Sequence, residues 1–282
     1  MAATDVTSEE VRTVLKGKKV LIIGDSICRG IYKDLACLLH GNDRLLKPDE
    51  LVFNRHNKNN KYALFDEIID HFKVDRSNSI NNIERRKLVS KEHDYHIQYW
   101  FCSRIWNKSM EDLSLSIEQY DCVFIQSLIW DLSRYHDFNG KLFLQNLHIC
   151  ISNMKKLNKN VVWINIPPTN SYKNQSLNKI ILKMHSPIIE VLKYYDCASL
   201  DLFEKLNDNP EIRHIDGVHF TPKGHRVITF YLIEVISNVP EKQNMISSTV
   251  QSSLNCHHLD YQNNRNLAYD SSRQKQVKKS FF

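Results

Sequence analysis

The sequence predicts an α/β protein built on a mostly parallel sheet, and three features carry that expectation. Short apolar runs, KVLII at 19–23, CVFIQ at 122–126 and VVWINI at 161–166, read as buried strands. Stretches whose apolar residues recur every three or four positions alternate with these runs and read as amphipathic helices, the order expected of strand–helix–strand units. With 282 residues, 42% of them hydrophobic, the chain can bury one sizeable core.

In chain order, the 19–23 strand ends at Gly24, and Ile27, Ile31, Leu35 and Leu38 define the first helix. Residues 40–80 are polar and rich in Asn and Lys, and read as an insertion with one helix near Tyr62 to Phe72. Lys87–Ser90 and Tyr95–Phe101 read as two strands joined by the turn Lys91-Glu-His-Asp. After the 122–126 strand, Leu144, Leu147, Ile151 and Met154 mark a long helix. The 161–166 strand stops at Pro167-Pro168, because proline cannot donate to the ladder. Ile181, Met184, Ile188 and Val191 mark a helix expected to bend at Pro187, and Ile228, Tyr231, Leu232 and Val235 mark the last one. The domain is therefore expected over 1–237. Residues 238–282 read as a disordered basic tail carrying +3 of the total +6, a surface through which a protein partner could dock.

That net charge is mild and diffuse, so nucleic acid is not an expected partner. Seven cysteines form no CxxC pair and sit largely in apolar runs, which fits a reducing compartment better than a disulfide framework. The N-terminal stretch is charged throughout and no apolar window reaches membrane-spanning length; the expected location is cytoplasm or nucleus. No Cys/His spacing suggests a metal, the dinucleotide fingerprint and the Walker lysine are absent, and no cofactor is expected.

The chemistry centres on Ser26. Gly24-Asp25-Ser26 lies between a buried strand and a helix, at the carboxyl end of a parallel strand where open α/β sheets place ligands. There the serine sits near unpaired helix N–H groups, and the amides of Ser26 and Ile27 could bind a developing oxyanion. A plain helix cap is the competing reading of that serine. A serine nucleophile needs a base and a group that orients the base. Asp216-Gly-Val-His219 supplies both just before the last helix, with His214 and His225 as rival bases. Thr221-Pro222 reads as the N-cap and first residue of that helix.

A GDS block near the N-terminus paired with a D-x-x-H block near the C-terminus resembles the GDSL/SGNH hydrolase superfamily. GDSICRGIYKDLACLL, SLIWDLSRY and RHIDGVHF are similar, more closely, to the animal PC-esterase domain-containing protein 1 family, over roughly residues 18–237. The resemblance implies a flavodoxin-like three-layer α/β/α domain, with Ser26 as nucleophile, His219 as base and Asp216 as the orienting acid. The superfamily places an oxyanion-donating Asn after the third strand; Trp130 stands at that position here, ahead of Asp131. Ser127, Asn165 and the Ser103-Arg104 pair are the substitute donors to weigh. Arg29, Asp131 and Arg134 are read either as a polar network flanking the pocket, with Trp130 as its wall, or as a simple Asp131–Arg134 ion pair.

These features imply an ester hydrolase acting on a small-molecule or modified-polymer acyl ester. An O-acetyltransferase using the same three residues and a catalytically inactive binding module are the alternatives.

Overall fold

The computed structural model describes residues 6–40, 43–51, 66–72, 83–135, 137, 139–167, 169, 174–206 and 210–239. Seven strands form one sheet: β1 (Lys18–Gly24), β2 (Glu67–Phe72), β3 (Ile83–Ser90), β4 (Tyr95–Phe101), β5 (Cys122–Ile125), β6 (Val161–Asn165) and β7 (Ala198–Asp201), in the order β2-β3-β4-β1-β5-β6-β7. From β4 to β7 every pairing is parallel, while β2, β3 and β4 pair antiparallel. The helices are α1 (Ser8–Leu15), α2 (Ser26–His40), α3 (Pro48–Leu51), α4 (Lys108–Ser114), α5 (Ile129–Ser133), α6 (Lys141–Leu157), α7 (Gln175–Tyr194), α8 (Leu202–Leu206) and α9 (Pro222–Ser237). The helices α1, α2 and α9 pack together as one layer, and α4, α6 and α7 as another. The domain is thus a three-layer, flavodoxin-like α/β/α fold.

The runs expected to be buried strands are buried for the reason given: helices cover both faces of the parallel part, so no face needs polar residues. Val20 to Ile23 and Val123 to Ile125 are fully shielded from water, each large aliphatic contributing roughly 1.5–3 kcal/mol by burial. Two elements differ from the sequence expectation. The helix expected near Tyr62 to Phe72 is instead the strand β2 where it is described, with residues 62–65 outside the described residues. There the backbone pairs Glu67 with Lys87 and Asp70 with Arg85, and the Lys87–Glu67 ion pair (3.0 Å) joins the two strands. Pairing with β3 outweighs local pattern at this edge. The α1 helix, which the charged N-terminus concealed, is opened by a capping box in which Thr7 and Glu10 bond reciprocally.

The helix α7 runs unbroken through Pro187. Thr221 accepts from Gly224 N and Pro222 opens α9, as the sequence predicts. Of the segment read as a tail, only residues 238 and 239 are described; the rest lies outside the described residues.

Candidate active site

The strand β1 delivers the serine. It ends at Gly24, where a Cβ would fall 2.5 Å from Cys28 Sγ and 2.8 Å from the Gln126 carbonyl, so the tight strand-to-helix turn requires glycine. Phe101 and Gly24 are register partners on β4 and β1, and Cys102 N donates to the Gly24 carbonyl (2.8 Å). Tyr99 Oη donates to the carbonyls of Gly24 and Asp25 (3.1 and 3.0 Å). Asp25 is only 2% exposed, and burial raises its pKa despite the hydrogen bond its carboxylate accepts from Ile27 N (2.8 Å). That bond closes an Asx turn and directs Ser26 outward from the first turn of α2.

The partner loop forms between residues 213 and 220, joined by an isolated bridge between Arg213 and Phe220. Gly217 adopts φ 75°, and its N–H donates to the His214 carbonyl (2.9 Å). Asp216 Oδ1 accepts from the amides of Val218 and His219 (2.8 and 2.9 Å). Its Oδ2 lies 2.7 Å from His219 Nδ1, and His219 Nε2 lies 2.7 Å from Ser26 Oγ. Two stretches of chain 193 positions apart therefore meet in one hydrogen-bonded line. Partial burial pulls the Asp216 carboxyl up, but the bonds from the His219 ring and the two amides outweigh it and hold the carboxyl well below the usual carboxylate range.

Neither rival histidine is the hydrogen-bond partner of Ser26. His214 Nδ1 approaches the same Asp216 Oδ2 at 3.2 Å, on an exposed ring. His225 is buried against Gly30, and desolvation lowers its pKa to about 3.

The weaker candidates separate by the partners that hold them. The Ile27 amide already donates to Asp25, so it is not the available donor the sequence suggested. Asn165 Nδ2 is turned to Asp201 Oδ1 (3.2 Å), where it helps organise the end of β7 rather than Ser26. The Ser127 hydroxyl donates to Asp131 Oδ2 (2.7 Å), and Ser103 Oγ pairs with Tyr135 Oη (2.9 Å). Asp131 faces Arg104 (3.7 Å), and burial raises its pKa to about 6. Arg29 pairs with Glu84 (2.7 Å). The expected network of Arg29, Asp131 and Arg134 therefore does not form, and neither does the simple Asp131–Arg134 pair, because Glu84 and Arg104 are the better-placed counter-ions. The Trp130 ring meets Phe101 edge-to-face at 5.5 Å between centroids.

Supporting residues escaped the sequence reading. Arg213 donates to the carbonyls of Val218 (2.7 Å) and Pro167 (2.9 Å), fixing the histidine loop from beneath. Asn174 Nδ2 donates to the Asp216 carbonyl (3.1 Å). Both act through backbone carbonyls, which leave no residue-type signature. Among the described residues no group of three His, Cys, Asp or Glu is arranged to hold a metal ion.

No protein-family model matches the chain. Human PC-esterase domain-containing protein 1B is 26% identical over 252 residues, covering 82% of this chain and 57% of that protein. Mouse PC-esterase domain-containing protein 1A is 26% identical over 250 residues, covering 82% of this chain and 55% of that protein. The chain's curated homologues are the animal PC-esterase domain-containing proteins 1A and 1B. It spans somewhat over half the length of these PC-esterase relatives. Among solved structures, a lipase/acylhydrolase from Enterococcus faecalis aligns with TM-score 0.48 at 16% identity, covering 78% of this chain and 95% of that one. The acetylxylan esterase Axe2 from Geobacillus stearothermophilus aligns with TM-score 0.42 at 15% identity, covering 79% and 95%.

Proposed function

We propose that the chain is a serine-dependent ester hydrolase that transfers an acyl group through Ser26 to water. The observation that carries this reading is the unbroken line Ser26 Oγ, His219, Asp216, with both links at 2.7 Å. The name of the PC-esterase relatives supports the same class of reaction.

In this mechanism His219 Nε2 takes the Ser26 proton as Oγ attacks the ester carbonyl, and Asp216 holds the ring with Nδ1–H toward its carboxylate. The low-lying Asp216 pKa keeps that carboxylate ionised as the imidazolium forms. Charge developing on the carbonyl oxygen meets the Ser26 amide at the N-terminus of the 15-residue helix α2, whose dipole favours it. His219 then returns its proton to the leaving alcohol, which departs as the acyl–serine forms. A water deprotonated by the same ring attacks that ester, releasing the acid and restoring Ser26. The His219 side chain is 42% exposed, so the reacting centre opens directly to solvent. Six described cysteines are free and buried, which supports a reducing, intracellular setting.

A fluorophosphonate probe is expected to label the purified protein, and Ser26→Ala is expected to abolish labelling while the fold persists. Absence of labelling across mildly acidic to basic pH would overturn the hydrolase reading.

A further inference from the structure

Two strands, β4 and β5, flank β1, and an aromatic residue lies at or beyond the carboxyl end of each. Phe101 ends β4 as the register partner of Gly24, two residues before Ser26. Trp130 follows β5 on the other side, and the two partly exposed rings meet edge-to-face at 5.5 Å. One aromatic pair thus spans the strand end that carries the serine, and a guanidinium stands at each end of it: Arg29 5.4 Å from the Phe101 centroid, Arg134 5.7 Å from the Trp130 centroid.

The two arginines differ in what surrounds them. Arg29 is 12% exposed and bonded to Glu84 at 2.7 Å, so a buried carboxylate balances its charge. Arg134 is exposed. The acids nearest it in the chain are held by other groups: Asp131 by Ser127 and Arg104, and Asp137 by the Phe143 amide, from which it accepts at 2.7 Å. Among the described residues Arg134 has no carboxylate partner. Its one ring contact leaves the fork of N–H donors open to a ligand beside an apolar wall.

We propose that the ester taken by this site carries an anionic group on the half that lies against Phe101 and Trp130, and that Arg134 selects it. The inference rests on the hydrolase reading above and adds a substrate class to it. A carboxylate or a phosphate would satisfy the same guanidinium fork.

The test compares three acetyl esters on the full chain: 4-acetoxybenzamide, which is neutral, 4-acetoxybenzoate, which carries a carboxylate on a similar phenol, and 4-acetoxyphenyl phosphate. The wild-type protein is expected to prefer at least one anionic ester over the neutral one by about fivefold in kcat/KM, the range of an exposed charge pair, and the preference should shrink with added salt. Whichever anion shows the larger ratio identifies the ligand group. In Arg134→Gln the ratio should fall to near one, and in Arg134→Glu it should invert; an unchanged melting temperature shows that both variants fold. A wild-type ratio near one for both anions, or a ratio that survives in Arg134→Gln, overturns the inference. Fluorophosphonate labelling of the same samples separates the two levels. Labelled Ser26 without charge preference removes only the anion proposal, whereas unlabelled Ser26 removes the hydrolase reading and this inference with it.

Discussion

Asp216 shows how a half-exposed carboxylate is made dependable. Its side chain is 40% exposed, yet both oxygens are engaged: Oδ1 by two amides of its own loop, Oδ2 by the His219 ring. The loop amides fix the carboxylate within its own loop. Replacing it with asparagine preserves shape but presents an N–H or a neutral carbonyl to Nδ1, which favours the wrong tautomer and leaves the imidazolium unsupported. Asp216→Asn is expected to lower kcat by about 10⁴ with KM little changed, as for asparagine in comparable Ser-His-Asp sites. A loss below tenfold would mean that His219 is oriented by something else, His214 and Asn174 being its loop neighbours. The pH consequence has a definite sign. The folded-state pKa is depressed, so the stabilisation from these bonds is present above about pH 4, where the unfolded carboxylate ionises, and is lost as pH falls toward the folded value. These three residues were readable in the sequence because the D-x-x-H spacing is local and the serine follows a recognisable buried strand. The weaker candidates were not. Ile27, Ser127 and Asn165 each carry a donor of the right type, and only three-dimensional partners reveal that Asp25, Asp131 and Asp201 already hold it.

Between elements, the helix bearing Ser26 and the helix that follows His219 must keep a fixed spacing, and two contacts set it. Gly30, one turn beyond Ser26 on α2, lies flat against the buried His225 ring of α9, so close that a Cβ would overlap it. One turn further on, Asp34 and Arg226 form a buried ion pair at 3.0 Å. Gly30→Ala must therefore push α2 and α9 apart. It is expected to destabilise the fold by about 1–3 kcal/mol in urea titration, the usual cost of overpacking, and to slow probe labelling of Ser26. Adding His225→Ala should recover part of both losses by removing the overlapping ring. Additive losses in the double variant would show that the clash is not what couples them. The major strands and helices were legible because burial on both sides leaves continuous apolar runs and covering helices keep a helical repeat. The strand β2 was not legible, since its partner β3 decides its conformation, and Gly30 was not, since the reason for that glycine lies almost two hundred residues away in His225.

Across the molecule, the antiparallel extension of the sheet is joined to the helix α2 by a buried charge cluster. Glu84 on β3 bonds both Arg29 (2.7 Å) and Arg86 (2.6 Å), and Arg86 reaches Asp66 (3.0 Å). Lys33, only 1% exposed, donates to the Glu50 carbonyl (2.6 Å) in the same region. Burial first, then Arg86 and Arg29, lowers the Lys33 pKa from 10.5 to about 7. A lysine that releases its proton more readily folded than unfolded costs stability wherever the unfolded chain holds that proton and the folded chain does not. Between about pH 7 and 10.5 the wild-type protein therefore gains stability as pH rises, by on the order of 1 kcal/mol per pH unit from this group, and below pH 7 the full cost is present. Lys33→Met keeps the apolar stem and removes the charge. Its unfolding free energy in urea should exceed that of the wild type most at pH 7 and below, and the gap should close steadily toward pH 10. The other titrating groups are common to both proteins, so the difference isolates Lys33. A gap that does not change with pH would show that Lys33 keeps its ordinary pKa in the folded chain.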